Sequence, residues 1–142
     1  MMAQNDQQIA SNPAANSSTF DSSTMTNDTL SLIEQEAYAA IREVAPYVNT
    51  LCISGVLHRT PEMFFFNLLT KENKTYCVEL TVRGWRICSD RHDCKNGDFR
   101  QLDLYIKYYE TIYQLLNSIS PEYRRLFAES LSQKLSQLPS AN

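Results

Sequence analysis

Residues 75–90 read TYCVELTVRGWRICSD, and the fold is decided here. Tyr76, Val78, Leu80 and Val82 alternate with Cys77, Glu79 and Thr81. Side chains of a strand point to opposite faces with a period of two, so one side of this segment is made for a core. Arg83-Gly84 then breaks the run, and WRICSD resumes it. Only a hairpin turn fits so short a break, so the two runs pair antiparallel.

Upstream, EMFFFNLLT leads through the short linker KENK into Tyr76, and YVNTLCISGVL brings Val48, Leu51, Ile53 and Val56 in a β-branched context. These segments predict two more strands, which completes a four-stranded antiparallel meander with one buried face. Before the strands, LSLIEQEAYAAIREVA places Leu30, Ile33, Ala37, Ile41 and Val44 at helical spacing, with Asn27 or Asp28 as N-cap. Pro46 bounds that helix, because it lacks an N–H and disfavours the helical conformation in Ala45. After the polar loop RHDCKNGDFR, YIKYYETIYQLLNSIS predicts a second helix, with Tyr105, Tyr109, Ile112 and Leu116 near one side. Tyr108, Leu115 and Ile119 widen its apolar arc.

SPEYRRLFAESLSQKLSQL, residues 120–138, predicts a third helix. Ser120 is its N-cap, Pro121 occupies the first helical position, and Pro139 ends it. At about 100° per residue, Tyr123, Phe127, Leu131, Leu135 and Leu138 form one seam, with Glu122, Arg124, Arg125 and Glu129 elsewhere. No later element is available to cover it. The expected fold is therefore α+β: the first helix, the meander, and two C-terminal helices packed with the first helix on one face of the sheet.

The chain has 142 residues, of which 43% are apolar, enough for one domain. Residues 1–27 are dominated by Gln, Asn, Ser, Thr and Ala, and Ile9 and Phe20 are nearly their only large apolar groups. Such a segment cannot offset its ordering entropy and is expected to be a disordered tail. The domain is expected over 28–139, followed by a short tail, 140–142. A net charge of −3 without clustered Lys and Arg argues against nucleic acid. No apolar run reaches the ~20 residues of a membrane span, and no signal peptide is visible, so a cytoplasmic or nuclear chain is expected. There, Cys52, Cys77, Cys88 and Cys94 are thiols, and the Asn-x-Ser/Thr sites at Asn16, Asn27 and Asn73 carry no glycan.

Motifs for chemistry are sparse. Three glycines form no phosphate-binding loop. The histidines are His58 and His92, and Cys88, His92 and Cys94 lack the paired spacing of a zinc site. Nothing around Glu79, Asp90 and Asp98 builds the desolvated surroundings of an acid/base pair. Phe64-Phe65-Phe66, without interleaved basic residues, is a core strand with one aromatic on its outer face rather than a base-stacking platform. No cofactor or metal is expected. An enzyme using the His92 loop is the rival reading.

YETIYQLLNSISPEYRRLF, together with TYCVELTVRGWRI, resembles the glycogen synthase kinase-3 interaction protein (GSKIP) family. Tyr108 to Arg124 follows without a gap the family stretch that leads into its kinase-binding helix, and Tyr76 to Thr81 fits a family strand. The likeness runs, more weakly, back through VNTLCIS to the first helix, covering roughly Tyr38 to Leu138. It implies a non-enzymatic adaptor, expected as a monomer, whose last helix enters a hydrophobic channel of glycogen synthase kinase-3 that axin and FRAT proteins also use. Inhibition or scaffolding of the kinase, and an effect on Wnt/β-catenin signalling, would follow. The family's apolar contacts map onto Phe127, Leu131 and Leu135. Related domains also occur in larger proteins concerned with mitochondrial distribution.

The resemblance implies a second contact in vertebrate members, through the first helix, with the regulatory subunit of protein kinase A. Ile41, Val44 and Val48 match its apolar positions. Pro46 departs from the vertebrate pattern and interrupts the helical stripe. Ser132 and Ser136 stand four apart, the spacing this kinase prefers between target and priming phosphate, which makes Ser132 a candidate substrate.

Overall fold

The computed structural model describes residues 29–139. Helix α1 (Leu32–Val44) is followed by a 3-10 turn (Ala45–Tyr47) and strands β1 (Thr50–Ile53), β2 (Phe64–Leu69), β3 (Thr75–Thr81) and β4 (Gly84–Ser89). A second 3-10 turn (Phe99–Gln101) leads into the short α2 (Leu102–Tyr105), then β5 (Tyr108–Tyr109), α3 (Ile112–Ile119) and α4 (Pro121–Ser136). The strands form one sheet in the order β1-β2-β3-β4-β5, each antiparallel to its neighbour. The class is α+β, as the sequence predicts, with five strands rather than four.

The register explains the main core. Phe64 lies opposite Leu80, Phe66 opposite Val78 and Leu68 opposite Tyr76, while Val78 and Leu80 meet Ile87 and Trp85 on the next strand. Onto this face pack Ile33, Ala37, Ala40 and Val44 of α1, Ile112, Leu115 and Leu116 of α3, and Tyr123 of α4. The Trp85 indole N–H donates to Glu36 at 2.8 Å, so a buried polar group is satisfied from α1.

Several expectations change. α1 starts at Leu32, because Ser31 and Glu34 form a reciprocal capping box that leaves Leu30 outside the helix. Asn27, Asp28, both expected tails and two of the three glycosylation motifs lie outside the described residues. Ala45 keeps helical angles despite Pro46, because the chain tightens into a 3-10 turn in which the proline falls at an early position. Val82 is not on the core face: β3 ends at Thr81, and Val82-Arg83 are the exposed tip of the hairpin. Val56 likewise lies beyond β1 and is exposed. Residues 105–111 are not helical throughout, since α2 closes at Tyr105, Tyr108 and Tyr109 pair with Arg86 and Trp85, and Thr111 caps a later start at Ile112.

The second face of the sheet is covered as well. Phe65, Cys77 and Cys88 are buried there, so Cys88 is deeper than the half-buried position its sequence suggests. The segment around Asp93 straps this face, with the Asp93 carboxylate accepting from Ser54 at 2.6 Å and Asn67 at 2.9 Å. The hydrogen bond that Cys88 shares with Cys77 and the burial of Cys88 both push its thiol pKa up.

The β2–β3 turn fixes the last helix. Glu72 accepts from the Ser120 hydroxyl at 2.9 Å and from the Glu122 N–H at 2.7 Å, while Ser120 Oγ caps the Tyr123 N–H at 3.0 Å. One carboxylate thus meets the free donors and positive end of α4. Partial desolvation raises the Glu72 pKa, but the bonds from Glu122 and Ser120 outweigh it and hold the carboxyl below its ordinary 4.5.

Two outcomes follow. Stability from this tether is present above the unfolded-state pKa of Glu72 and is lost as pH falls through the lower folded value, so exchange protection of the Glu122 amide should collapse below pH 4.5. Glu72→Gln should abolish that pH step; an unchanged step would exclude Glu72 as its source. Gly84 has φ +116°, and a Cβ there would lie 2.4 Å from the Tyr109 carbonyl oxygen. Gly84→Ala should therefore destabilise by about 1–3 kcal/mol and unpair β5, read by denaturant unfolding and amide exchange at Tyr109.

Candidate functional site

Among the side chains of α4 only Tyr123 is buried. It reaches the core between Tyr47 and Phe127, with ring centroids 5.6 and 5.7 Å away. Leu126 and Ser130 are half-buried, and Tyr47 donates its hydroxyl to Ser130 at 3.2 Å. Beyond Ser130 every described residue is exposed.

The seam expected from the sequence therefore divides in two. Tyr123 is an internal anchor rather than part of a free surface, and burial raises its phenol pKa. Phe127 is 40% exposed, Leu131 49%, Leu135 61% and Leu138 63%. The rise along the chain is that of a helix leaving the body that supports its first turns. Leu138 falls past the last α-helical residue, Ser136, in a closing turn where its N–H reaches the Leu135 carbonyl at 3.3 Å. The opposite side of α4 is held by Arg125, which pairs with Glu122 and, at 3.2 Å, with Glu129. Such solvent-screened pairs at helical spacing lend an exposed helix only modest support.

Phe127 is the hinge between the two parts. Its ring sits 5.8 Å from Tyr47 and 6.5 Å from Tyr113, and it borders an open groove of about 520 Å3 lined also by Tyr108, Tyr109 and Asn117. Sequence reasoning missed this groove, Tyr47 and the Glu72 tether. Ser120 and Glu72 are 48 residues apart, and no local pattern joins them.

The other candidate residues are placed differently. Val44 and Val48 are buried in the main core, Ile41 packs half-buried against it, and α1 ends before Val48. Ser132 is exposed on α4 between Leu131 and the next turn, and Ser136 bonds back to the Gln133 carbonyl. His92 touches the Leu68 carbonyl at 3.0 Å, and Cys94 engages Arg91 and Asn96. Among the described residues no group of three or more His, Cys, Asp or Glu is placed to hold a metal ion. Glu79 pairs with Arg86 and Asp98 with Arg100, so these carboxylates do not form a pair with each other. Among the described residues no helix is long and apolar enough to cross a membrane.

Comparison with known proteins bears on this helix. The family model described as the GSKIP domain matches residues 33–138. A GSK3B-interacting protein of Bos taurus is 35% identical over 105 residues, covering 72% of this chain and 70% of its own. A GSK3-beta interaction protein of Gallus gallus is 36% identical with the same coverage, and a Drosophila melanogaster protein named GSKIP homolog is 29% identical over 89 residues, covering 63% of this chain and 72% of its own. The match takes in α1 from its second residue, the whole sheet and the seam of α4, and the chain belongs to the GSKIP family.

Proposed function

We propose that this chain is a non-enzymatic adaptor that binds glycogen synthase kinase-3 by laying the outer half of α4 into an apolar groove of the kinase. The relatives' names supply the partner. The observation that carries the reading is the row Phe127, Leu131, Leu135 and Leu138, exposed on a helix already held at its other end. Amphipathic helices bind grooves through apolar side chains at this spacing, and a few buried anchors carry most of the affinity. A formed helix also loses less conformational entropy on docking than a peptide that must first fold.

Occupying that channel would exclude other scaffold helices from it, which is how the chain would inhibit or redirect the kinase and modulate Wnt/β-catenin signalling. Ser132 and Ser136 lie beside the apolar seam on the polar side of α4, and a phosphate on either would disturb the docked helix and weaken the contact. We place the activity in the cytoplasm or nucleus, where free thiols such as Cys52 and Cys94 persist. Anchoring a protein kinase A regulatory subunit would have to draw Val44 and Val48 out of the core, so the proposed function does not include it.

Co-purification with glycogen synthase kinase-3 tests the reading. Leu131→Ala and Leu135→Ala should abolish capture while changing folding stability by no more than about 0.5 kcal/mol, as expected for exposed positions. His92→Ala and Cys94→Ala should leave capture intact. Retained binding in both leucine variants, or loss of folding in either, would contradict the proposal.

A further inference from the structure

We propose that Thr60, in the connection between β1 and β2, is a phosphorylation site for protein kinases that require proline directly after the target. The chain contains two Ser/Thr-Pro pairs, Thr60-Pro61 and Ser120-Pro121. Proline brings no N–H to the position after the target, so a kinase whose cleft pairs that N–H loses a hydrogen bond on such sequences. Enzymes shaped to accept the ring there have two targets in the sequence.

The structure separates the two. Ser120 is 1% exposed; its hydroxyl donates to Glu72 at 2.9 Å and accepts from the Tyr123 N–H at 3.0 Å. A phosphate there would remove the cap of α4 and set a second negative group against the Glu72 carboxylate. Thr60 is half-buried, but it stands between exposed His58 and Arg59 on one side and exposed Pro61 and Glu62 on the other. Its hydroxyl oxygen accepts from the Glu62 N–H at 3.2 Å, and among the described residues its hydroxyl proton has no acceptor.

A kinase cleft takes its target in an extended segment, so the turn has to open. Two backbone bonds close it: the Thr60 N–H donates to the Met63 carbonyl at 2.9 Å, and the Met63 N–H to the Thr60 carbonyl at 3.2 Å. Both lie outside the named strands. One side-chain bond adds to them, from the Ser31 hydroxyl to the Pro61 carbonyl at 2.6 Å. From Gly55 to Met63 only Leu57 and Met63 rest on the buried cluster of Phe65, Cys77 and Cys88. Segments with so few buried apolar contacts open at the least cost in free energy. The step transfers the γ-phosphoryl group of ATP to Thr60 Oγ1. A P–O bond forms there as the β,γ-bridging P–O bond breaks, ADP leaves, and the threonine proton passes to the catalytic base of the kinase.

The Ser31 bond places this turn at the start of α1, whereas Tyr47, which meets Phe127, follows the other end of that helix. The 13 residues of α1 put about 20 Å between its ends. Phosphorylation of Thr60 is therefore independent of the reading of α4.

The test is incubation of the folded full chain with magnesium and ATP and, separately, a mitogen-activated protein kinase, a cyclin-dependent kinase and a basophilic kinase, with phosphate mapped by tandem mass spectrometry. At least one of the two proline-directed enzymes should modify Thr60, and neither should modify Ser120. The basophilic kinase should leave Thr60 untouched. Thr60→Ser should remain a substrate at that position. Pro61→Ala, checked by thermal melting, should lower kcat/KM for Thr60 by about tenfold or more. No phosphate on Thr60 from either proline-directed enzyme, a preference for Ser120, equal modification by the basophilic kinase, or an unchanged rate in Pro61→Ala would overturn the proposal.

Discussion

The Glu72 carboxylate and the Tyr123 ring fix the first turn of α4, and no described element lies beneath its last two turns. An isolated helix of this length is marginal in water, because the first turn is costly to nucleate. Here the nucleus is supplied by the body of the protein: a serine cap, a proline at the first position, a carboxylate at the positive end and a tyrosine in the core. The remaining turns then propagate into solvent with Arg125 bridging Glu122 and Glu129 on one side. The arrangement keeps Leu131 and Leu135 out of the core while presenting them on a preformed surface.

The rest of the fold serves that placement. The β2–β3 turn carries Glu72, and its position depends on the pairing of Phe64 to Leu69 with Thr75 to Leu80. Tyr47, which meets both Tyr123 and Phe127, stands at the end of the 3-10 turn that follows α1. Proline at position 46 shapes that turn, so a residue that interrupts a long helix also delivers the ring on which Phe127 rests. The same chain path buries Val44 and Val48, which explains why α1 offers its apolar side to the sheet rather than to solvent.

Much of this was legible beforehand where a local pattern carries the signal. Alternation in Tyr76 to Leu80 gave the strand and its core face, and Ser120-Pro121 gave the start of α4. Local pattern failed where a distant partner decides. Val82 continues the alternation yet sits in the turn that Gly84 imposes, and Tyr108 and Tyr109 fit a helical arc yet are claimed by β4. The seam of α4 was visible as a period, but its division into a buried Tyr123 and exposed leucines was not, because that depends on how far the supporting layer extends. Glu72 left no local signal at all, since its partners are brought to it only by the fold.

Hydrogen exchange of the chain alone and saturated with glycogen synthase kinase-3 tests the central claim most directly. Amides from Leu131 to Leu138 should gain protection on adding the kinase, while those of α1 from Ile33 to Val44 stay unchanged. Protection gained in α1 with none in the outer half of α4 would contradict the account.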